Sequence, residues 1–148
     1  MGCLNVESIR LSELKQIKTE GGAILKVLKS SDLDFSDFGE AYFSMISKNT
    51  IRGWKRHKKM TMNLVVPLGR VQFVFADDKE SETKFTSHTL SNANYSRITV
   101  LPGTWFAFQG LEDLNLILNI ANIEHDDSEV EKISLESMTY QWKSTDLK

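Results

Sequence analysis

Where apolar and polar positions keep a period along this chain, that period is two. Residues 40–46 read Glu-Ala-Tyr-Phe-Ser-Met-Ile, which predicts a strand with Glu40, Tyr42 and Ser44 on one face. The stretch 52–78 predicts two strands, 52–60 and 62–76, with Pro67-Leu68-Gly69 as a corner between apolar segments. Further strands are expected over 23–28, 84–90, 96–101, 104–109 and 114–121. The turn signals between them include Gly21-Gly22, a charged loop over 77–83, Pro102-Gly103 and Gly110. Residues 1–20 read as an irregular arm or edge strand, and Tyr140-Gln-Trp142 as a short terminal strand or anchor. Residues 129–138 predict one or two helical turns, with Ser128 as N-cap. About eight short strands with little helix indicate an all-β protein, and their alternation suits a jelly-roll β-barrel whose mouth holds a ligand.

Composition sharpens this in few places. At 148 residues the chain suffices for one domain with a core, and 1–148 contains no repeat, low-complexity tract or linker. A net charge of -2 gives no overall attraction to nucleic acid or an anionic membrane, so neither is expected as a partner. The basic residues are unevenly placed, however. Arg52, Lys55, Arg56, Lys58 and Lys59 fall within eight positions, either as a solvated face or as an anion site. Cys3 is the only cysteine, which excludes an intrachain disulfide and a Cys-rich metal site. No apolar stretch has transmembrane length, and Glu7, Arg10, Glu13 and Lys15 interrupt any signal-peptide core. Met1-Gly2-Cys3 opens like a myristoylation signal, but Val6 stands where that signal needs Ser or Thr. A cytoplasmic location is the expectation.

The candidate chemistry lies on the strand after Arg52. A metal-binding jelly roll of the cupin type wants His at 55 and 57, a carboxylate near 62 and a further His near 106. This chain has Lys55, His57, Met62 and Phe106 there, so no catalytic metal is expected. Lys55 and His57 are two apart and share a strand face. A lysine desolvated among other cations loses basicity and becomes a proton acceptor near neutral pH; the alternative is that both residues merely solvate the strand. Tyr42, Glu40 and Asn119 are candidates for the same cavity, as proton donor, hydrogen-bond acceptor and orienting group. Trp105, Phe106 and Phe108 read as core or cavity wall, and His88 and His125 as surface or loop residues.

Several segments taken in order carry a resemblance. They are Phe38-Gly-Glu-Ala-Tyr-Phe-Ser44, Ile51-Arg-Gly53, Leu64 to Gly69, Leu90-Ser91, Pro102-Gly103 and Tyr140-Gln-Trp142. Over roughly 20–142 the chain resembles the dTDP-4-dehydrorhamnose 3,5-epimerase family, dimeric cupins acting on nucleotide-linked 4-keto sugars. That family places a catalytic His directly after Arg-Gly-x, where this chain has Lys55. Its Tyr acid aligns with Leu118 and its Lys before the glycine corner with Met62; the substrate-contacting Arg is kept as Arg52. The related nucleotide-sugar 3,4-ketoisomerases show Arg-Gly-x-His-x-His-Lys, which Arg52, Gly53, His57 and Lys58 match. The resemblance implies a metal-independent isomerase (epimerase) of a nucleotide-linked 4-keto-6-deoxy sugar, working without a cofactor by proton abstraction next to the ketone in surface polysaccharide synthesis. His57, Lys55 and Tyr42 would be catalytic, and Arg52, Lys59, Glu40 and Asn119 would bind substrate, in a homodimer. The rival expectation is an inactive cupin that binds a sugar nucleotide or a partner enzyme.

Overall fold

The computed structural model describes residues 8–143, so Cys3 and the Met1-Gly2-Cys3 start lie outside the described residues. Twelve strands follow in chain order: β1 (Ile9–Glu13), β2 (Gln16–Thr19), β3 (Gly22–Leu25), β4 (Glu40–Ser47), β5 (Ile51–His57) and β6 (Met62–Leu68). They continue with β7 (Arg70–Asp77), β8 (Lys84–Ser91), β9 (Ser96–Val100), β10 (Trp105–Gly110), β11 (Leu114–Ala121) and β12 (Val130–Lys132). Two five-stranded sheets, ordered β1-β9-β6-β11-β4 and β12-β5-β10-β7-β8, form the jelly roll of a cupin, and all their ladders are antiparallel. The hairpin β2-β3 stands apart from both.

Alternation along the strands builds two apolar layers. Leu64, Phe73, Phe75, Ile98, Phe106 and Ile117 point between the sheets and form the inner core. The intervening residues of the second sheet, Trp54, Val74, Ala76, Trp105 and Ala107, point the other way. They are covered by the C-terminal segment through Ile133, Leu135, Met138, Tyr140 and Trp142. Trp54 is 1% exposed, and its Nε1 donates to the carbonyls of Leu135 (3.3 Å) and Met138 (3.1 Å). A buried indole of this kind is worth about 3–5 kcal/mol on truncation. Tyr140-Gln-Trp142 is thus an anchor with no regular strand of its own.

Three expectations are revised. The run 62–76 is two strands in different sheets: the chain leaves the first sheet at Leu68 and enters the second at Arg70. Gly69 makes this crossing at φ 86°, where an added Cβ would lie 2.4 Å from Asn115 Oδ1. Asn115 is fully buried and wires the corner together, accepting from Arg70 N (2.8 Å) and donating to Ile46 O (3.0 Å). The strand expected over 23–28 is the short β3 of the detached hairpin. The helical turns expected over 129–138 are two single 3-10 turns, Asp127–Glu129 and Leu135–Ser137, separated by β12. The first is capped by Asp126, whose carboxylate accepts from Ser128 N at 2.9 Å, so Ser128 sits inside the turn it was expected to cap. The acidic run around 126 favours an earlier cap because Asp caps as well as Ser.

Gly69→Ala is expected to destabilise the protein by more than the about 1–2 kcal/mol that a left-handed residue costs, because Asn115 must also shift. Gly103 has a similar φ of 88° but open space around it, so Gly103→Ala should show the conformational cost alone. Paired denaturant titrations in which the two variants lose equal stability would show that the Asn115 contact is not what constrains the corner.

Candidate active site

Between the sheets, at the end where β4 and β5 approach, lies a cavity of about 320 Å³. Its floor is apolar, with Leu64, Phe73, Phe108 and Ile117. The four positions at which a metal-binding cupin carries ligands do line it, but as Lys55, His57, Met62 and Phe106. Among the described residues no group of three or more His, Cys, Asp or Glu side chains is placed to hold a metal ion.

A bulge in β5 decides which cations face this space. Lys55 pairs with Phe106 and Arg52 with Phe108, so two residues of β5 oppose the single Ala107 of β10. Strict alternation would put Arg52 on the face opposite Lys55; the extra residue returns it to the same face. Gly53 permits the bulge, since a Cβ there would lie 2.3 Å from that of Ala107. Arg52, Lys55 and His57 therefore all line the cavity. Arg52 remains exposed at its mouth and donates to Met45 O across to β4 at 3.0 Å.

His57 is 4% exposed and lies nearly parallel to Phe106, with ring centroids 6.0 Å apart. Its Nδ1 is 2.9 Å from Oε2 of Glu129, which is itself 2% exposed. Glu129 Oε1 also accepts from the Met60 amide at 3.1 Å. Burial lowers the His57 pKa below its ordinary 6.5 and Lys55 adds to this, while the bond and charge of Glu129 oppose it. The ring is accordingly neutral at pH 7. Its proton sits on Nδ1, held by the carboxylate, and Nε2 keeps a lone pair for the cavity. Nothing in the local sequence marks Glu129, which lies 72 residues from His57 and looks like part of a polar helical turn.

Tyr42 and Asn119 occupy the facing wall, on β4 and β11. Asn119 Nδ2 donates to the Tyr42 hydroxyl at 3.0 Å, which leaves the Tyr42 O–H to point at another acceptor. Asn119 Oδ1 is buried without a partner among the described residues, an acceptor for a ligand hydroxyl. Lys132, which the sequence did not single out, lines the cavity directly across the ladder from Lys55.

Two expected residues do not join this group. Glu40 faces inward but is not part of the cavity wall, and its carboxylate accepts from His125 N at 2.9 Å, securing the loop after β11. Lys59 is exposed in the turn after β5, outside the cavity wall, and its charge helps to hold the Asp126 carboxyl below its ordinary pKa. Leu118, aligned with the family's Tyr acid, belongs to the outward face of β11; Ile117 and Asn119 are the residues of that strand in the cavity wall. His125 is exposed and bonded to Asp127 at 2.8 Å.

A two-sheet antiparallel barrel with a buried histidine–carboxylate pair in its mouth defines a cupin in architecture. Residues 7–134 match the family described as "FdtA: WxcM-like, C-terminal", and the chain belongs to that family. A solved dTDP sugar isomerase from Desulfovibrio desulfuricans G20 is 34% identical, with a TM-score of 0.82 over 87% of this chain and 85% of that one. QdtA, a sugar 3,4-ketoisomerase from Thermoanaerobacterium thermosaccharolyticum solved with TDP, is 19% identical, with a TM-score of 0.73 over 85% and 88% of the two chains. The dTDP-4-dehydrorhamnose 3,5-epimerase of Sulfolobus tokodaii is 22% identical, with a TM-score of 0.79 over 96% and 85%. These last two share the fold. No curated protein sequence matches the chain.

The folded pKa of His57 is depressed, so its contribution to stability is present above pH 6.5 and is lost as pH falls through the folded value. Glu129→Gln removes the group opposing the depression and should lower the His57 pKa further. An NMR titration of the imidazole in which the variant titrates at or above the wild-type value would sink the assigned pairing.

Proposed function

We propose that this protein is a metal-independent isomerase (epimerase) of a nucleotide-linked 4-keto-6-deoxy sugar. The observation that carries the reading is the buried His57–Glu129 pair, which presents a neutral imidazole lone pair to a cavity. A C–H beside a ketone is acidic because the resulting enolate delocalises onto the carbonyl oxygen, and a positioned base of this kind removes it. Glu129 holds the ring and stabilises the imidazolium that forms. Tyr42, oriented by Asn119, donates a proton on the opposite wall, and Arg52 supplies positive charge at the mouth, suited to phosphate oxygens. No cofactor is invoked for this chemistry. Solved neighbours bind the corresponding ligands, TDP-4-keto-6-deoxyglucose in a histidine-to-asparagine mutant of QdtA and dTDP-4-keto-L-rhamnose in RmlC from Legionella pneumophila Philadelphia 1.

The same reading assigns the protein one catalytic domain over 1–148, a cytoplasmic site of action and a role in surface polysaccharide synthesis. Among the described residues no helix is long and apolar enough to cross a membrane. The outer face of β4 carries Phe43, 61% exposed, and Met45, 60% exposed, beside the half-exposed Leu68 and Leu114. An apolar patch on an edge strand is a contact surface, and a second copy of this chain is its proposed occupant.

His57→Asn is expected to abolish solvent deuterium exchange into dTDP-4-keto-6-deoxyglucose while leaving TDP binding in place; exchange at the wild-type rate would remove His57 from the mechanism. Phe43→Glu should shift the protein from dimer to monomer in sedimentation, and an unchanged sedimentation coefficient would place the interface elsewhere.

A further inference from the structure

Proton abstraction by His57 leaves one part of the cavity wall without a task. Lys55 and Lys132 stand directly opposite in the β5-β12 ladder, and both line the cavity. Neither makes an ion pair among the described residues: Glu129 is turned to His57 and the Met60 amide, and together with Asp127 it acts on Lys55 only from further off. Across the other ladder Lys55 faces Phe106, and the wall of the same cavity also carries Phe108, Met62 and Leu64. Two ammonium groups so placed repel each other, and Lys55 is the more buried of the two, Lys132 being exposed. Burial first, then Lys132, lower the pKa of the half-buried Lys55 from its ordinary 10.5. An amine desolvated in an apolar pocket beside a second cation is a nucleophile toward carbonyl carbon.

We propose that Lys55 attacks the keto group of the substrate and carries it as a Schiff base. The inference rests on the keto-sugar reading of the site and adds a covalent step to it. The Nζ lone pair forms a bond to the carbonyl carbon, the C=O π pair moves to oxygen, and one amine proton follows it to give a neutral carbinolamine. A proton donated to the hydroxyl, for which Tyr42 is the placed donor, expels water and leaves a C=N⁺ iminium. That cation acidifies the neighbouring C–H beyond what the ketone achieves. His57 Nε2 takes the proton, and the electron pair moves into an enamine. Reprotonation at carbon, then addition of water and departure of the amine, return a ketone and free Lys55. No oxidant or reductant is consumed.

The step has a consequence for the outcome of the reaction. Hydrolysis returns the carbonyl to the carbon on which it began, so the neighbouring centre is inverted or exchanged. Moving the carbonyl one carbon along would instead leave the Lys55 nitrogen attached as a secondary amine. Lys55 therefore assigns this chain to epimerisation beside the ketone rather than to keto migration.

The test incubates the protein with dTDP-4-keto-6-deoxyglucose and cyanoborohydride, which reduces iminium ions, followed by intact mass and peptide mapping. The expected result is one sugar nucleotide joined to Lys55 per chain, absent without reductant and absent in Lys55→Arg. Parallel incubations without reductant in heavy water follow exchange of the proton beside the ketone. Lys55→Arg puts in place of the amine a guanidinium that cannot form a Schiff base, and should lose about 100-fold or more in exchange rate, with TDP affinity by calorimetry essentially unchanged. Exchange in the wild type without an adduct on Lys55, an adduct confined to Lys132, or wild-type exchange in Lys55→Arg would each overturn the Schiff base and leave the isomerase reading standing. Absence of both exchange and adduct would overturn the isomerase reading itself.

Discussion

A carboxyl group buried to 2% exposure needs donors for its oxygens, and Glu129 sets that condition for the mouth of this barrel. Its oxygens are satisfied by His57 Nδ1 and the Met60 amide, both from β5 and the turn after it. The backbone of the same residue accepts from Lys58 N at 2.8 Å. These bonds register β12 against β5, and the register then fixes Val130 opposite His57 and Lys132 opposite Lys55. Beyond β12, Trp54 and Ile133 exchange backbone bonds of 3.2 Å in each direction, and the chain goes on to cover the outer face of the second sheet. One segment thus orients the histidine on the inner side and seals the aromatic layer on the outer side.

The cavity divides by polarity in a way that follows from the strands building it. β6, β7 and β10 contribute Met62, Leu64, Phe73, Phe106 and Phe108, an apolar wall against which a sugar ring can pack. β5 and β12 contribute the cations and the histidine, while β4 and β11 contribute Tyr42 and Asn119. Burial among these groups weakens the solvation of His57 and Lys55, which depresses the pKa of both. Burial thus acts in the same direction on both residues, favouring the uncharged form of each. At position 55 this chain carries a lysine, whose half-buried place in the cavity wall lowers its pKa from the ordinary 10.5.

Much of the fold was legible because β-strands announce themselves by period. Glu40, Tyr42 and Ser44 do share the inward face of β4, and the corner at Gly69 is where Pro and Gly placed it. Lys55 and His57 share a face for the same reason. Glu40 shows the limit of the rule: an inward-facing position is not a cavity position, and its carboxylate is used by the loop after β11. Arg52 shows the reverse. Periodicity would exclude it from the face of Lys55, and only the bulge at Gly53 brings it there. Glu129 is hidden in the sequence because its neighbours Asp126, Asp127 and Ser128 are polar and exposed, and local polarity reads as a solvated turn.

The sequence by itself determined the all-β class, the strand carrying Arg52, Lys55 and His57, and the replacement of the metal ligands at 55, 62 and 106. These are properties of residue type and short-range spacing, which the backbone geometry of a strand converts directly into faces. Tertiary structure alone decided that a glutamate 72 residues away orients His57, that Lys132 stands beside Lys55, and that Leu118 points away from the site. Each of those depends on which strands become neighbours and in what register, and register is set by packing of the whole barrel rather than by any local stretch of the chain.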